Sequence, residues 1–244
     1  MPLLCRAPDS PALLQVWRVF LPPAMKHFAK NLALLDASEQ HRAESFHFER
    51  DRQRFVASHA ALRLILGQVL SVQPQDIAYT LQPGGKPQLR GLQPCSLIQF
   101  NMSHSGDWAL IAASCEAPQI SLGVDLEAFD PGSKPPFDVI PSFSPGEQHA
   151  LKDLDGPELA TAFYRCWTRK EALVKALGTG IGDGLALFTV SVGEAAKLID
   201  SKHPALEPTQ WVMTSLDYAG AYVGALAVKG GNGLPPLTCE WTWD

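Results

Sequence analysis

The chain has 244 residues, 46% hydrophobic and 18% charged, a composition that excludes a disordered or fibrous protein and allows one large domain or two of roughly 120 residues. The net charge of −5 is spread over interspersed signs, so nothing global favours a nucleic acid or a membrane surface, and any anion site must be local. Arg6, Asp9 and prolines interrupt the first residues, which lack the apolar core of a signal peptide. No other run approaches the ~20 apolar residues of a membrane span. Cys5, Cys95, Cys115, Cys166 and Cys239 are odd in number and widely spaced, as expected of reduced thiols in a cytoplasmic protein.

Residues 13–20 alternate β-favouring side chains and predict a strand, which Pro22-Pro23 breaks before an amphipathic helix over 24–35. From 38 to 70 the sequence is polar and then periodic, with Phe55, Leu62, Leu66 and Val69 at helical spacing and Gly67 the weak position. Short strands are expected at 77–81, 97–100 and 108–114, separated by the turn signals Pro83-Gly84-Gly85 and His104-Ser105-Gly106. A boundary is expected near 116–118, then a strand over 120–126 and a proline-rich loop over 130–143. Ser144-Pro145-Gly146-Glu147 has capping-box spacing with proline at the first helical position, which starts a helix. The longest predicted helix covers 158–177, capped by Gly178. Strands near 187–192, 211–216 and 222–228 complete the chain, which shows no repeat and no low-complexity tract. The fold class is α+β, in two halves of similar size, 1–118 and 119–244, with a site expected in the cleft they form.

In Gly123-Val124-Asp125-Leu126-Glu127 the carboxylates stand two apart on a strand and leave the same face, while Val124 and Leu126 enter a core. Such a pair is either two solvated charges on an edge strand or a set of hard oxygen donors for magnesium shared with phosphate. On the helix over 158–177, Leu159, Phe163, Cys166, Leu173, Val174 and Leu177 share one face, and Tyr164, Glu171 and Lys175 form a polar stripe along its edge. By periodicity alone Glu171 and Lys175 read as an ordinary surface ion pair. Lys170 falls within the apolar face, so it must snorkel out or meet a buried partner. Asn101 to Gly106 offers an amide, two hydroxyls and an imidazole in what reads as one turn; Asn101 and Ser105 satisfy a turn's own backbone by default. His104 reads both as a ligand for phosphate or a proton and as an ordinary surface histidine. Gly84-Gly85-Lys86-Pro87 is a hairpin with a solvated lysine, or a place where backbone and an ammonium approach a flat ligand. In the loop over 130–143, Ile140 and Phe143 are expected to pack inward and Phe137 to remain exposed.

Together, and in this order, these segments resemble the Sfp-type 4′-phosphopantetheinyl transferases. The matching pieces are Gly85-Lys86-Pro87, then Asn101-x-Ser103-His104-Ser105-Gly106, then Gly123-Val124-Asp125-Leu126-Glu127. After a short echo in Phe143-Ser144-x-x-Glu147 comes Phe163-Tyr164-x-x-Trp167-x-x-Lys170-Glu171-Ala172-x-x-Lys175-x-x-Gly178. Trp167 with Lys170-Glu171-Ala172 places the chain in the subgroup similar to Sfp itself. The resemblance implies a monomer of two pseudo-symmetric α+β halves with antiparallel strands and packed helices. It further implies coenzyme A as donor substrate, Mg2+ bound by Asp125, Glu127 and Glu171, and apo-acyl- or peptidyl-carrier proteins as partners. Arg54, Lys86, Pro87, Ser103, His104 and Lys175 would contact coenzyme A, while the family's further basic residues are matched only loosely, by His41 and Arg42.

The reaction so implied is attack of a carrier serine on the β-phosphorus of the coenzyme A pyrophosphate, with 3′,5′-ADP leaving. Mg2+ and Lys175 would offset charge, and Glu171 would accept the proton, directly or through a metal-bound water. Two rival readings are a non-catalytic coenzyme A or nucleotide-binding module and a magnesium-dependent phosphohydrolase. The three carboxylates and both helix lysines argue against the first.

Overall fold

The structure, a computed structural model, describes residues 14–90, 98–114, 120–180, 184–218, 221–230 and 236–243. In chain order its elements are β1 (Leu14–Phe20), α1 (Pro22–Met25), α2 (Phe28–Leu32), α3 (Ala37–Glu44), α4 (Glu49–Leu70), β2 (Ala78–Leu81), β3 (Pro87–Arg90), β4 (Gln99–Ser105) and β5 (Trp108–Ser114). There follow β6 (Ser121–Ala128), α5 (Pro145–Lys152), α6 (Gly156–Leu177), β7 (Phe188–Val190), β8 (Leu198–Ser201), β9 (Trp211–Ser215), β10 (Tyr222–Lys229) and β11 (Leu237–Trp241). They group into two units, one of residues 1–81, 87–118 and 236–244, the other of 82–86 and 119–235. The boundary expected near 116–118 lies outside the described residues.

The first unit is built on a sheet of order β11-β1-β5-β4. Its pairs are antiparallel except β1 with β11, which run parallel. Trp17, Val19 and Leu21 of the first strand region join Phe100 and Ile111 in one apolar cluster with Ala57, Ala61, Leu62, Ile65 and Leu66 of α4. Burying each large aliphatic side chain there contributes about 1.5–3 kcal/mol. The helix expected over 24–35 is two short ones, because His27 (φ −113°, ψ 38°) leaves helical geometry. The polar stretch before α4 forms α3, opened by a capping box between Asp36 and Glu39. Both of those carboxylates also receive the fully buried Arg63, which donates as well to the carbonyls of Pro74 and Ile77.

One expectation fails here. Asn101 to Ser105 do not form a turn; they are the second part of β4, in register with Ala112 to Trp108. The reversal needs only Gly106 and Asp107, since Gly106 adopts φ +56°, a left-handed conformation open to glycine. The ladder therefore continues to Ser105, and period-two geometry sends Ser103 and His104 to opposite faces.

The second unit carries the antiparallel sheet β6-β10-β9 with α6 lying against it. Gly123 allows this contact: a Cβ there would overlap the carbonyl oxygen of Ala172 and the amide nitrogen of Ala176. The expected cap forms at Gly178 (φ +73°), whose N–H donates to the Val174 carbonyl at 2.9 Å. The expected capping box also forms, with the Ser144 N–H donating to Glu147 Oε2 at 2.8 Å. Lys170 takes the buried-partner course: its ammonium lies 2.8 Å from Glu147 Oε2 with both side chains at 0% exposure, and donates to the carbonyls of Leu185 and Phe188. Phe143 is fully buried, Ile140 packs on the same cluster, and Phe137 is 50% exposed.

Candidate active site

β6 and α6 bring the acidic residues of the second unit together. Gly123, Asp125 and Glu127 alternate with buried Val124 and Leu126 along the strand, so one face of β6 carries both carboxylates. That is the face on which Gly123 meets the backbone of α6. The close approach leaves Asp125 and Glu171 at 3% and 4% exposure. Lys175, one turn beyond Glu171, reaches across and sets its ammonium 2.6 Å from Asp125 Oδ1. The surface-pair reading of Glu171 and Lys175 is thus replaced by a buried carboxylate and a lysine that bridges helix and strand.

The electrostatics reflect this crowding. Burial pushes the Glu171 carboxyl up to about 7, the nearby Asp125 charge adds to the rise, Lys175 opposes it, and Glu127 raises it further. Glu171 Oε1 is buried without a hydrogen-bond partner. Tyr164, one of the three residues of the polar stripe, has its phenol raised by desolvation and then by the charge of Glu127.

Among the described residues no three His, Cys, Asp or Glu side chains form a preassembled metal cage. Magnesium does not require one, because it is commonly held by one or two carboxylates and completed by water and substrate phosphate. The unpartnered Glu171 oxygen is a hard donor beside the charges of Asp125 and Glu127. The donor set therefore fits a small divalent cation.

Lys86 belongs to this unit as well. It is not a solvated hairpin lysine: it is 9% exposed and donates to the carbonyls of Leu122 at 2.9 Å and Ala176 at 3.1 Å. Desolvation lowers its ammonium to about 8.

Arg54, Pro87, Ser103 and His104 lie in the first unit. Arg54, on α4, donates through Nε and Nη2 to Asp107 Oδ1 at 3.2 and 2.7 Å, and Arg50 approaches the same oxygen at 3.6 Å. Asp107 carries no separate signal in the sequence, since an acidic residue after glycine reads as a turn former. Pro87 opens β3, and Ser103 is 9% exposed on β4. His104 acts on His59 of α4, whose imidazole is lowered to about 3 by desolvation first and by His104 second. His59 packs against Phe55 with ring centroids 3.8 Å apart and the rings tilted by 32°.

Comparison with known proteins defines the class of molecule to which this chain belongs. Residues 19–116 match the family described as 4′-phosphopantetheinyl transferase, N-terminal, and residues 121–227 match the 4′-phosphopantetheinyl transferase superfamily. The chain is 34% identical to the 4′-phosphopantetheinyl transferase HetI of Nostoc sp. over 90% of its own length and 89% of that protein. It is 29% identical to the 4′-phosphopantetheinyl transferase psf-1 of Bacillus pumilus over 81% and 82% of the two chains. With the Synechocystis sp. protein slr0495 it shares 39% identity over 63% of this chain, spanning 61% of that protein's length. The chain belongs to the 4′-phosphopantetheinyl transferase superfamily. It is an enzyme of that type, with an α+β fold, and its class of activity is transfer of phosphopantetheine to carrier proteins.

Proposed function

We propose that this enzyme moves 4′-phosphopantetheine from coenzyme A to a serine of apo-acyl- or peptidyl-carrier proteins, releasing 3′,5′-ADP, with Mg2+ held by Asp125, Glu127 and Glu171. The observation that carries this reading is the charge-crowded carboxylate set that β6 and α6 bring together, in which Asp125 and Glu171 are buried and one Glu171 oxygen has no hydrogen-bond partner. When bound, the metal would supply positive charge to the pyrophosphate as it departs.

The chain's own residues supply the rest. The serine oxygen bonds to the β-phosphorus as the bond from that phosphorus to the bridging oxygen breaks, and 3′,5′-ADP carries away the electron pair. The serine proton needs an acceptor, and in the metal-free protein burial raises the Glu171 carboxyl above the usual carboxylate range. Glu171 fills that role; a cation on the same oxygen lowers its basicity, so ligand and base roles compete at this one group. Lys175 adds positive charge beside Asp125, where the leaving phosphate gains negative charge. Arg54, Lys86, Pro87, Ser103, His104 and Lys175 are the coenzyme A contacts that the family resemblance implies. Of these, Arg54, Pro87, Ser103 and His104 are kept for the adenine and phosphate end, which assigns donor contacts to residues 1–118 and the metal site and catalytic helix to 119–244. None of the helices among the described residues is long and apolar enough to cross a membrane; a monomer is what the family resemblance implies, and a cytoplasmic location is what the odd number and wide spacing of the cysteines suggest.

The test is a mass measurement on an apo-carrier protein incubated with the enzyme, coenzyme A and Mg2+. Transfer adds the phosphopantetheine mass and forms 3′,5′-ADP in equal amount. Release of 3′,5′-ADP without carrier would indicate a phosphohydrolase, and coenzyme A binding with neither product a binding module. Full activity in EDTA would remove the metal from the proposal.

A further inference from the structure

Lys86 lies at the end of the short connection between β2 and β3, a place that in isolation suggests a solvent-facing ammonium. The structure puts it elsewhere. Gly85 takes φ +83° to turn the chain, the Gly85 N–H donates to the Gln82 carbonyl, and the Gln82 N–H donates to the Lys86 carbonyl. A Cβ on Gly84 would overlap the carbonyl of Gly178 and come within 3.0 Å of Thr179 Cα. The apex of the connection therefore rests backbone against backbone on the end of α6, and only glycine permits that approach.

This contact delivers the Lys86 ammonium between the two elements that carry the acidic site. One donor goes to the carbonyl of Leu122, three residues before Asp125 on β6. The other goes to the carbonyl of Ala176, which directly follows Lys175 and is among the last carbonyls of α6. Those carbonyls lack onward helical partners and form the negative end of the helix dipole, so a buried cation is well placed there. At 9% exposure the ammonium has given up most of its water. A phosphate would have to compete with two carbonyl acceptors already in place.

We propose that Lys86 is a positioning residue, which pins β6 to α6 and so fixes the spacing of Asp125 and Glu127 against Glu171 and Lys175, and that it is not a phosphate ligand. The proposal rests on the carboxylate site described under Proposed function, and it replaces the coenzyme A contact that the family resemblance implies for this lysine.

The test compares wild type with Lys86→Met, which keeps the aliphatic stem and loses both donors, and Lys86→Arg, which restores donors and charge. Mn2+ binding to the purified proteins, followed by loss of the free-ion paramagnetic resonance signal, is read together with thermal stability, kcat and KM for coenzyme A. Groups that orient metal-binding carboxylates typically change metal affinity by about 10–100-fold when removed. Lys86→Met should weaken Mn2+ by at least about tenfold and lower kcat comparably, with KM for coenzyme A within about threefold of wild type. Lys86→Arg should recover part of both losses. Should Lys86→Met not fold, Lys86→Gln, which keeps amide donors without charge, is measured in the same way. A Lys86→Met protein with wild-type Mn2+ affinity and kcat overturns the proposal. So does a rise in KM for coenzyme A that disappears when the donor lacks its 3′-phosphate, because that result makes Lys86 a phosphate ligand. If wild type binds no Mn2+, the carboxylate-site reading falls and this proposal with it; wild-type binding with an indifferent Lys86→Met removes Lys86 alone.

Discussion

Gly123→Ala tests the contact on which the candidate site is built. The added Cβ would overlap the Ala172 carbonyl oxygen and the Ala176 amide nitrogen, and would stand 3.0 Å from Ala176 Cα. All three are backbone atoms of α6, so no side chain can rotate away, and strand and helix would have to separate by about an ångström in an interior packed at crystal density. Such overpacking costs about 1–3 kcal/mol, and more where the surroundings are fixed. Here they are fixed: α6 is tied down by the Lys170 and Glu147 pair and by Lys86. Replacing glycine returns about 0.5–1 kcal/mol of backbone entropy, so the net loss should be about 1–2 kcal/mol or more. For a chain of this length that corresponds to a fall in Tm of roughly 2–8 °C. Gly193→Ala is the matched control, since a Cβ there meets nothing within 4 Å. Thermal and urea unfolding give the stability change, and mass-detected transfer gives kcat, which should drop because Asp125 and Glu171 move apart. A Gly123→Ala protein with the Tm of wild type and full turnover would refute the close-packing account.

Lys170→Met should destabilise by about 3–5 kcal/mol in urea unfolding, the usual cost of breaking a buried ion pair, because Glu147 and the carbonyls of Leu185 and Phe188 lose their cation; a change under about 1 kcal/mol would mean that the pair is not sealed from water. In metal-free buffer the Glu171 carboxyl is raised from 4.5 to about 7, so the folded state favours its protonated form. Its stabilisation is present below the unfolded value and is lost as pH rises through 7. Glu171→Gln should therefore flatten the Tm profile between pH 5 and 8, and an unaltered slope would contradict the crowding. Phe137, half exposed, lines a pocket of 550 Å3 with Ile140, Leu151, Leu154 and Leu159. Phe137→Asp should raise KM for carrier protein and leave coenzyme A kinetics and Tm unchanged; a Tm lowered by several degrees would assign the ring to packing.

What could be read from the sequence was what local periodicity and local chemistry encode. Alternation along 121–127 put Asp125 and Glu127 on one face, and Ser144 with Glu147 announced a cap, because both signals lie within a few residues. Lys170 in an apolar stripe demanded a partner, and the cap glutamate supplied it, although no spacing rule connects positions 147 and 170. Strands β3, β8 and β11 carried no signal of their own. Their pairing depends on neighbours distant in sequence, as when β11 lies parallel to β1. His104 was misplaced because Ser-His-Ser-Gly has turn composition, while the ladder with β5 decides that only Gly106 and Asp107 reverse the chain.

Gly123 and Lys86 show why the site's geometry was less legible than its chemistry. A sequence can nominate carboxylates by residue type, but the distance from Glu171 to Asp125 depends on how close two backbones come. That distance is set by a missing side chain at Gly123 and by an ammonium from the 82–86 connection. In a pattern both look like accessories to their motifs: a glycine ahead of Asp125, and a lysine in a turn. Their effect appears only when α6 is laid on β6, where an ångström of separation would decide whether the carboxylates act on one cation as a set or stand as separate charges.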